Sequence, residues 1–517
     1  MHSHRLFAVA KVVAGVAGGL VAAAVAASGA GAAAVETGPL VVPVPDARDL
    51  PATATSWPFL AAKQNLRPLD LATFGYVETE SLISGKGRVF DWTKDGRVGL
   101  LPAAPQPFVN RILVRKPADK ARFSGVVVVE VMNDARSADW PILWGYVHDT
   151  LMRNGHAWVG VTLPRSTIGL KKFDPQRYAM VSYAPTEPLG CKTADDSMEE
   201  GLRFEFAAQV GALLKSASPA SPLAGYGVKT LVMTSQGVET TTYAVALQHL
   251  LRLPSGKPVY DGFLIKSTSG LGKLNHCGET VPITDPRAQL RGVGVPVISV
   301  VAQGEAVAAL PVRREDSDSK ADPYRLYEVT GASHLDRYPY EALPSMEDAK
   351  RAGSVQGTPE WPFNARCVPE IQLSSLRVLS YVFDSSLVNL ERWIKDGAPP
   401  PRAERLAIKT GGKEPEVITD PYGAGRGGVR SVFVDAPVAA YTMGSPGPGN
   451  CPEFGSVAPF SWPYLQSLYG SPAAYRAKAL PMVDAMAAQR WLTPDDATQL
   501  RREISAPPAP PQLATRK

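Results

Sequence analysis

The 517-residue sequence predicts an α/β fold built on a doubly wound, mostly parallel sheet. The first observation is a set of short, nearly continuous apolar runs at 125–132, 156–163, 229–234 and 295–301, with a weaker one at 262–266. Runs that lack alternation mark strands buried on both faces, as in parallel sheets. The second observation is what lies between them: helical patterns over 142–153, 197–216 and 239–251. In the middle one, Leu202, Phe206, Val210 and Leu213 fall on one stripe. Buried strands alternating with amphipathic helices argue for right-handed βαβ crossovers.

The remaining segments are placed around that core. Residues 1–34 carry His4, Arg5 and Lys11, then an uncharged Ala/Gly/Val tract ending in small residues. These are the parts of a secretory signal peptide, too weakly apolar to be a lasting anchor. Cleavage near Ala34 is expected, giving a periplasmic or extracellular protein without stable membrane insertion. Residues 35–120 read as an extended, Pro-rich arm followed by antiparallel β runs such as 74–80 and 108–114. The core spans 121–400 and closes with a long helix over 373–396, stopped by Gly397 and Pro399-Pro400-Pro401. Residues 401–505 form an appendage, turn-rich at first, with β-type residues around 429–434 and helices over 473–491 and from Thr493 onward. Thr493 suits an N-cap and Pro494 a first helical position. The Pro-rich tail 506–517 is expected to be disordered.

Composition narrows the functional classes. With 45% hydrophobic and 20% charged residues, the chain belongs among ordinary globular proteins. Its 54 Lys and Arg against 49 Asp and Glu leave +5 without a basic run, so nucleic acid is excluded as a partner. Cys191, Cys277, Cys367 and Cys451 contain no C-x-x-C spacing and lie far apart, which favours disulfides over zinc in an oxidising compartment. Four thiols allow three pairings, and the sequence does not decide among them; Cys191 with Cys277 and Cys367 with Cys451 is the arrangement in which each pair brackets one region.

The chemistry centres on Leu231-Val-Met-Thr-Ser235-Gln-Gly237-Val: an apolar strand, a serine, a glycine two residues on, then a helix. That is the layout of a nucleophile elbow, a sharp turn that exposes a serine hydroxyl. Met233 stands where the usual Gly-x-Ser-x-Gly has its first glycine. Serine needs an imidazole base steadied by a carboxylate, in the chain order Ser, acid, His. His334 lies in a loop beyond the last apolar run. His148, His156 and His249 sit in helix or strand patterns and His276 precedes the strand that carries the acid. Glu305, just past 295–301, is the preferred acid, with Asp316 and Asp318 as rivals in a charged stretch. Glu130 and Asp336 are placed close to the site, with structural pairing their simpler role. Two backbone donors must hold the oxyanion. Gln236, after the serine, and Asn133, on the loop after 125–132, are the candidates.

The sequence resembles a family of large, mostly uncharacterised bacterial α/β-hydrolase-domain proteins. The resemblance covers most of the mature chain. It rests on Val-Glu-Val-Met-Asn133 with Asp139-Trp140, the elbow, Arg325 to Asp336, residues 393–401, and Gly427-Gly-Val-Arg430 with Val434-Asp-Ala-Pro437. It implies an ester hydrolase with a serine, acid and histidine triad, which maps onto Ser235, the Glu305 region and His334. In that family the elbow more often reads Gly-x-Ser-Gln-Ser-Gly, and the acid lies in a Thr-Glu-x-Asp-like segment. The expectation is therefore a secreted serine esterase acting on a small-molecule ester without metal or organic cofactor. The competing expectations are an inactive binding protein on the same fold, or amidase, thioesterase or acyltransferase chemistry on the same triad.

Overall fold

The apolar runs pair into one nine-stranded sheet. Its strands are β1 (Asp46–Asp49), β2 (Tyr76–Gly87), β3 (Gln106–Pro117), β4 (Val126–Val131), β5 (Ala157–Val161), β6 (Thr230–Gln236), β7 (Gly262–Lys266), β8 (Val297–Ala302) and β9 (Tyr324–Val329). They lie in the order β1-β2-β3-β5-β4-β6-β7-β8-β9. This is a computed structural model; it describes residues 34–506 apart from 135–136, 188, 192–196, 268, 337, 355–371, 374–376 and 448–450. The proposed signal peptide and tail thus lie almost wholly outside the described residues.

From β5 through β9 every neighbouring pair is parallel. Strands β1 to β3 join the same sheet antiparallel, so the N-terminal β region extends the core sheet. The chain leaves β4 in one direction to reach β5 and returns past it to β6. Between β4 and β6 the strand order therefore reverses, and such a switch point leaves a crevice at the carboxyl ends of the strands.

Alternate residues of each strand feed two core layers. Helices α1 (Ile142–Arg153) and α4 (Val378–Asp396) cover one face, where Trp144, Leu151, Leu379 and Phe383 pack over Val128, Val232, Leu264 and Ile298. On the other face, α2 (Leu202–Lys215) and the turn after β6 bring Phe206, Leu213, Tyr243 and Leu247 onto Val127, Leu231, Met233 and Phe263. After β6, α3 (Val238–Thr242) runs into a π-helical turn at Tyr243–Leu247 instead of the continuous helix the sequence suggests.

Buried charge fixes the layers to each other. Glu130, inside β4, accepts the Leu143 and Trp144 backbone N–H groups at the start of α1, each at 2.8 Å, and the Trp158 indole N–H at 2.9 Å. Burial pushes its carboxyl up to about 7. Arg111 is fully buried and reaches both Glu80, at 2.9 Å, and Asp139, at 2.6 Å, tying β2 and β3 to the loop after β4.

Two further segments differ from expectation. Strand β9 is hidden in the sequence because Tyr-Arg-Leu-Tyr-Glu-Val carries two charges. Both are satisfied inside the fold: Arg325 bonds the Pro400 carbonyl at 3.0 Å, and Glu328 accepts from Arg313 at 2.6 Å and from the Leu406 N–H at 2.7 Å. Around 429–434, only Val429 makes a β bridge, to Val329, before the chain turns into the short helix Val432–Asp435.

A disulfide joins Cys191 to Cys277, one of the pairings the sequence leaves open. Beside it, His276 is paired with buried Glu199, which also accepts the Gly201 N–H at 2.8 Å and the His276 N–H at 3.0 Å. Cys451 is also disulfide-bonded; Cys367, its partner in the corresponding arrangement, lies outside the described residues. In the C-terminal part, α5 (Pro472–Ala488) and α6 (Pro494–Ser505) pack Val483, Leu500 and Ile504 against Tyr381 of α4. Thr493 caps α6 by accepting the Asp496 N–H at 3.2 Å. No helix among the described residues is long and apolar enough to cross a membrane.

Removing Glu130 strands three donors in the core, and each such group costs about 1–3 kcal/mol. Glu130→Ala is expected to lower unfolding stability by about 3 kcal/mol or more in urea titrations; a change below about 1 kcal/mol would show that the carboxylate does not hold α1 to the sheet.

Candidate active site

Three loops meet at the carboxyl ends of β6, β8 and β9. Residues 303–305 form a single 3₁₀ turn after β8, which aims Glu305 back over the sheet; its Oε2 accepts the Ala302 N–H at 2.8 Å. After β9 the chain turns at Gly331 and delivers His334. His334 Nδ1 is hydrogen-bonded to Glu305 Oε1. Asp316 and Asp318 serve the β9 edge instead: Asp316 accepts the Leu326 N–H at 3.0 Å and an Arg405 bond at 2.7 Å, and Asp318 pairs with Arg325 and Arg402. Of the three candidate carboxylates, Glu305 is the one that meets the imidazole.

Two further residues, unmarked by any motif, complete this pair. Lys266, the last residue of β7, is buried and donates to the His334 carbonyl at 2.8 Å and to Ser267 Oγ at 3.2 Å, with its ammonium 3.9 Å from Glu305. Ser267 adopts φ +66°, rare for a residue with a side chain, and its hydroxyl bonds Glu305. Burial alone would raise the Glu305 carboxyl. Lys266 and the bonds from His334 and Ser267 outweigh it and hold the group down at about 2. Burial lowers the Lys266 ammonium, against the opposing pull of Glu305, Asp336 and Glu453. A Lys-Ser pair after an apolar strand has no distinguishing spacing, which is why the sequence does not single it out.

The elbow sits two residues further along than its motif suggests. Strand β6 continues through Ser235 and Gln236, paired with Ile265 and Lys266 of β7. Met233 is a mid-strand core residue, paired with Val129 and Phe263, and has no part in the turn. The turn itself falls at Gly237, with φ +106° and ψ −155°, directly before α3. A Cβ at Gly237 would meet nothing within 4 Å. Ser235 is wholly buried, and its Oγ accepts the Thr240 N–H at 3.1 Å.

The structure thus brings Glu305 and His334 together and does not join Ser235 to them by a hydrogen bond. The partner of His334 Nε2 is the Gln236 side-chain amide, at 3.1 Å. In the tautomer that donates Nδ1–H to Glu305, Nε2 is an acceptor that the Gln236 amide N–H can meet. Of the two residues expected to hold the oxyanion, Asn133 has its backbone N–H already engaged. Asn133 gives its backbone N–H to the Trp140 carbonyl at 3.1 Å, while its side-chain amide leans on the Gln236 carbonyl at 3.5 Å. Next to Asn133, burial and the nearby Glu239 carboxylate push Asp134 up to about 6.

Residues 40–502 match the family described as an alpha/beta hydrolase domain. The chain belongs to that family. Solved structures similar to this α/β-hydrolase domain are remote. A putative dienelactone hydrolase from Klebsiella pneumoniae subsp. pneumoniae is 13% identical over 52% of this chain and 95% of its own, with a TM-score of 0.23. A fungal esterase from Rhizomucor miehei is 8% identical over 53% and 81%, with a TM-score of 0.26. A glucuronoyl esterase from Solibacter usitatus is 11% identical over 63% and 89%, with a TM-score of 0.28. No curated protein matches the sequence. The C-terminal part of this α/β-hydrolase domain reaches the site. The Leu335 N–H bonds the Glu453 carbonyl at 2.9 Å, and a Cβ on Gly304 would lie 3.1 Å from the Met443 carbonyl.

Because Glu305 is depressed in the folded protein, it adds stability that is fully present above its ordinary pKa of 4.5 and is lost as the pH falls through about 2. The stability difference between wild type and Glu305→Gln, measured by denaturant unfolding, is expected to be constant near neutral pH and to shrink between these two values. A difference that does not change with pH in that window would remove Lys266 and His334 as the groups holding the carboxylate ionised.

Proposed function

We propose that this α/β-hydrolase domain hydrolyses carboxylic esters, with His334 as general base and Glu305 steadying it. The observation that carries this reading is the His334–Glu305 pair, set over the switch point with Nε2 turned toward the elbow. A base so placed removes a proton from the attacking oxygen and returns it to the leaving alcohol; positioned proton transfer contributes ~10²–10⁴ in rate.

Two routes bring that oxygen. In the covalent route Ser235 attacks the carbonyl carbon and its proton passes to His334 Nε2. The alkoxide then leaves with that proton, and water hydrolyses the acyl-serine by the same path. This route requires Ser235 to release Thr240 and turn out of its buried seat, and Gln236 to clear Nε2. In the direct route water attacks the carbonyl, its proton passes to Nε2 and then to the departing alkoxide. The position of Gly237 at the turn favours this second route, and equally a protein that binds a ligand there without turnover. Export through the N-terminal tract belongs to the same proposal and is supported by the Cys191–Cys277 disulfide.

A panel of p-nitrophenyl esters, thioesters and anilides of varied acyl length tests the reading. Ester turnover is expected, and His334→Ala is expected to lower kcat/KM by about 10³. No turnover across the panel, or turnover indifferent to His334→Ala, would leave a ligand-binding fold or a different base.

A further inference from the structure

We infer that position 237, and not 235, is the elbow apex where this fold presents its attacking atom, and that the glycine there leaves the attack to water without an acyl-enzyme. The inference rests on the reading of His334 as base. It is carried by four observations that agree. The strand ladder runs through Gln236, so the reversal from strand to helix cannot come earlier. The left-handed, strained conformation typical of a nucleophile elbow occurs at Gly237, with φ +106°, while Ser235 is not among the residues with positive φ. Counting from Gly237, the small residue two positions before the apex is Ser235, which the tight turn needs for close packing and which explains its complete burial. Finally, the Gln236 side-chain amide, between Ser235 and Gly237, reaches His334 Nε2, which sets the imidazole beside this turn.

What the apex lacks is an oxygen, and it has room for one, since a Cβ built on Gly237 meets no atom within 4 Å. In the direct route no bond forms to the protein. The water oxygen bonds to the carbonyl carbon, its proton moves to His334 Nε2, the C–O bond to the alcohol breaks and the alkoxide takes that proton. Acid and alcohol are released, and the imidazole returns to its starting form.

The test treats the full chain, as wild type, Gly237→Ala, Gly237→Ser and Gly237→Ser with His334→Ala, with a fluorophosphonate. Labelled peptides are located by mass spectrometry and folding is followed by thermal melting. Wild type and Gly237→Ala are expected to stay unlabelled. Gly237→Ser is expected to label at position 237, about a hundredfold faster than any background, and to lose that reactivity with His334→Ala. Wild-type labelling at Ser235, or a folded Gly237→Ser that does not label, overturns the inference. Whether or not Gly237→Ser folds, wild-type turnover decides the attack by water, and its absence overturns that attack. Ester turnover with no burst of p-nitrophenol supports direct attack, and a burst stoichiometric with protein and abolished by Ser235→Ala overturns it. Labelling of Gly237→Ser that survives His334→Ala keeps the apex and removes the base, so the two readings fail separately.

Discussion

Six neighbouring strands of this protein run in one direction, and that constraint organises the rest. Because β5, β4 and β6 to β9 are parallel, their carboxyl ends lie along one edge, and every loop leaving them opens on the same side. The reversal of strand order between β4 and β6 parts the loops there. Asn133, Gln236, Lys266, Glu305 and His334 are dispersed over about two hundred residues of sequence, yet each stands at or just beyond the end of one of these strands. Local propensity has no means of assembling them; the shared strand direction does.

Charge placed where water is scarce sets the arrangement of side chains along this edge. A buried carboxylate is costly unless neighbours compensate it. Around Glu305 the compensation comes from Lys266, Ser267, His334 and the Ala302 N–H. The same groups also fix geometry: Lys266 grips the His334 backbone while Glu305 orients the ring, so imidazole and carboxylate are held by one network. Further down the sheet, Glu130 anchors α1 and Arg111 anchors the loop that carries Asp139. The segment around Glu453 closes it from above, giving the C-terminal part a share in the site.

How much of this is legible in the sequence follows from how local each signal is. The α/β class, the βαβ order and most strands can be read because continuous Val-rich runs of this length suit a strand covered on both faces and little else. Strand β9 cannot, since Arg325 and Glu328 look like solvent residues until their partners near Pro400 and Leu406 are brought in by tertiary folding. Glu305 and His334 are legible through chain order and loop position. Lys266 and Ser267 are not, because a lysine at a strand end is ordinarily a surface residue. The elbow shows the limit most clearly. Thr-Ser-Gln-Gly fits a serine motif by composition, but whether the strand stops before or after Gln236 depends on its ladder with β7, which sequence spacing does not encode.

In the proposed chemistry the basic nitrogen of His334 works over position 237 on a non-covalently held carbonyl. A crystal structure of the wild-type protein soaked with an aryl phosphonate ester would decide this at the atoms concerned. The expected density shows a phosphonate held by hydrogen bonding to His334 Nε2 above Gly237, with Gln236 displaced and Ser235 Oγ still bonded to the Thr240 N–H. Continuous density from phosphorus to Ser235 Oγ would contradict it.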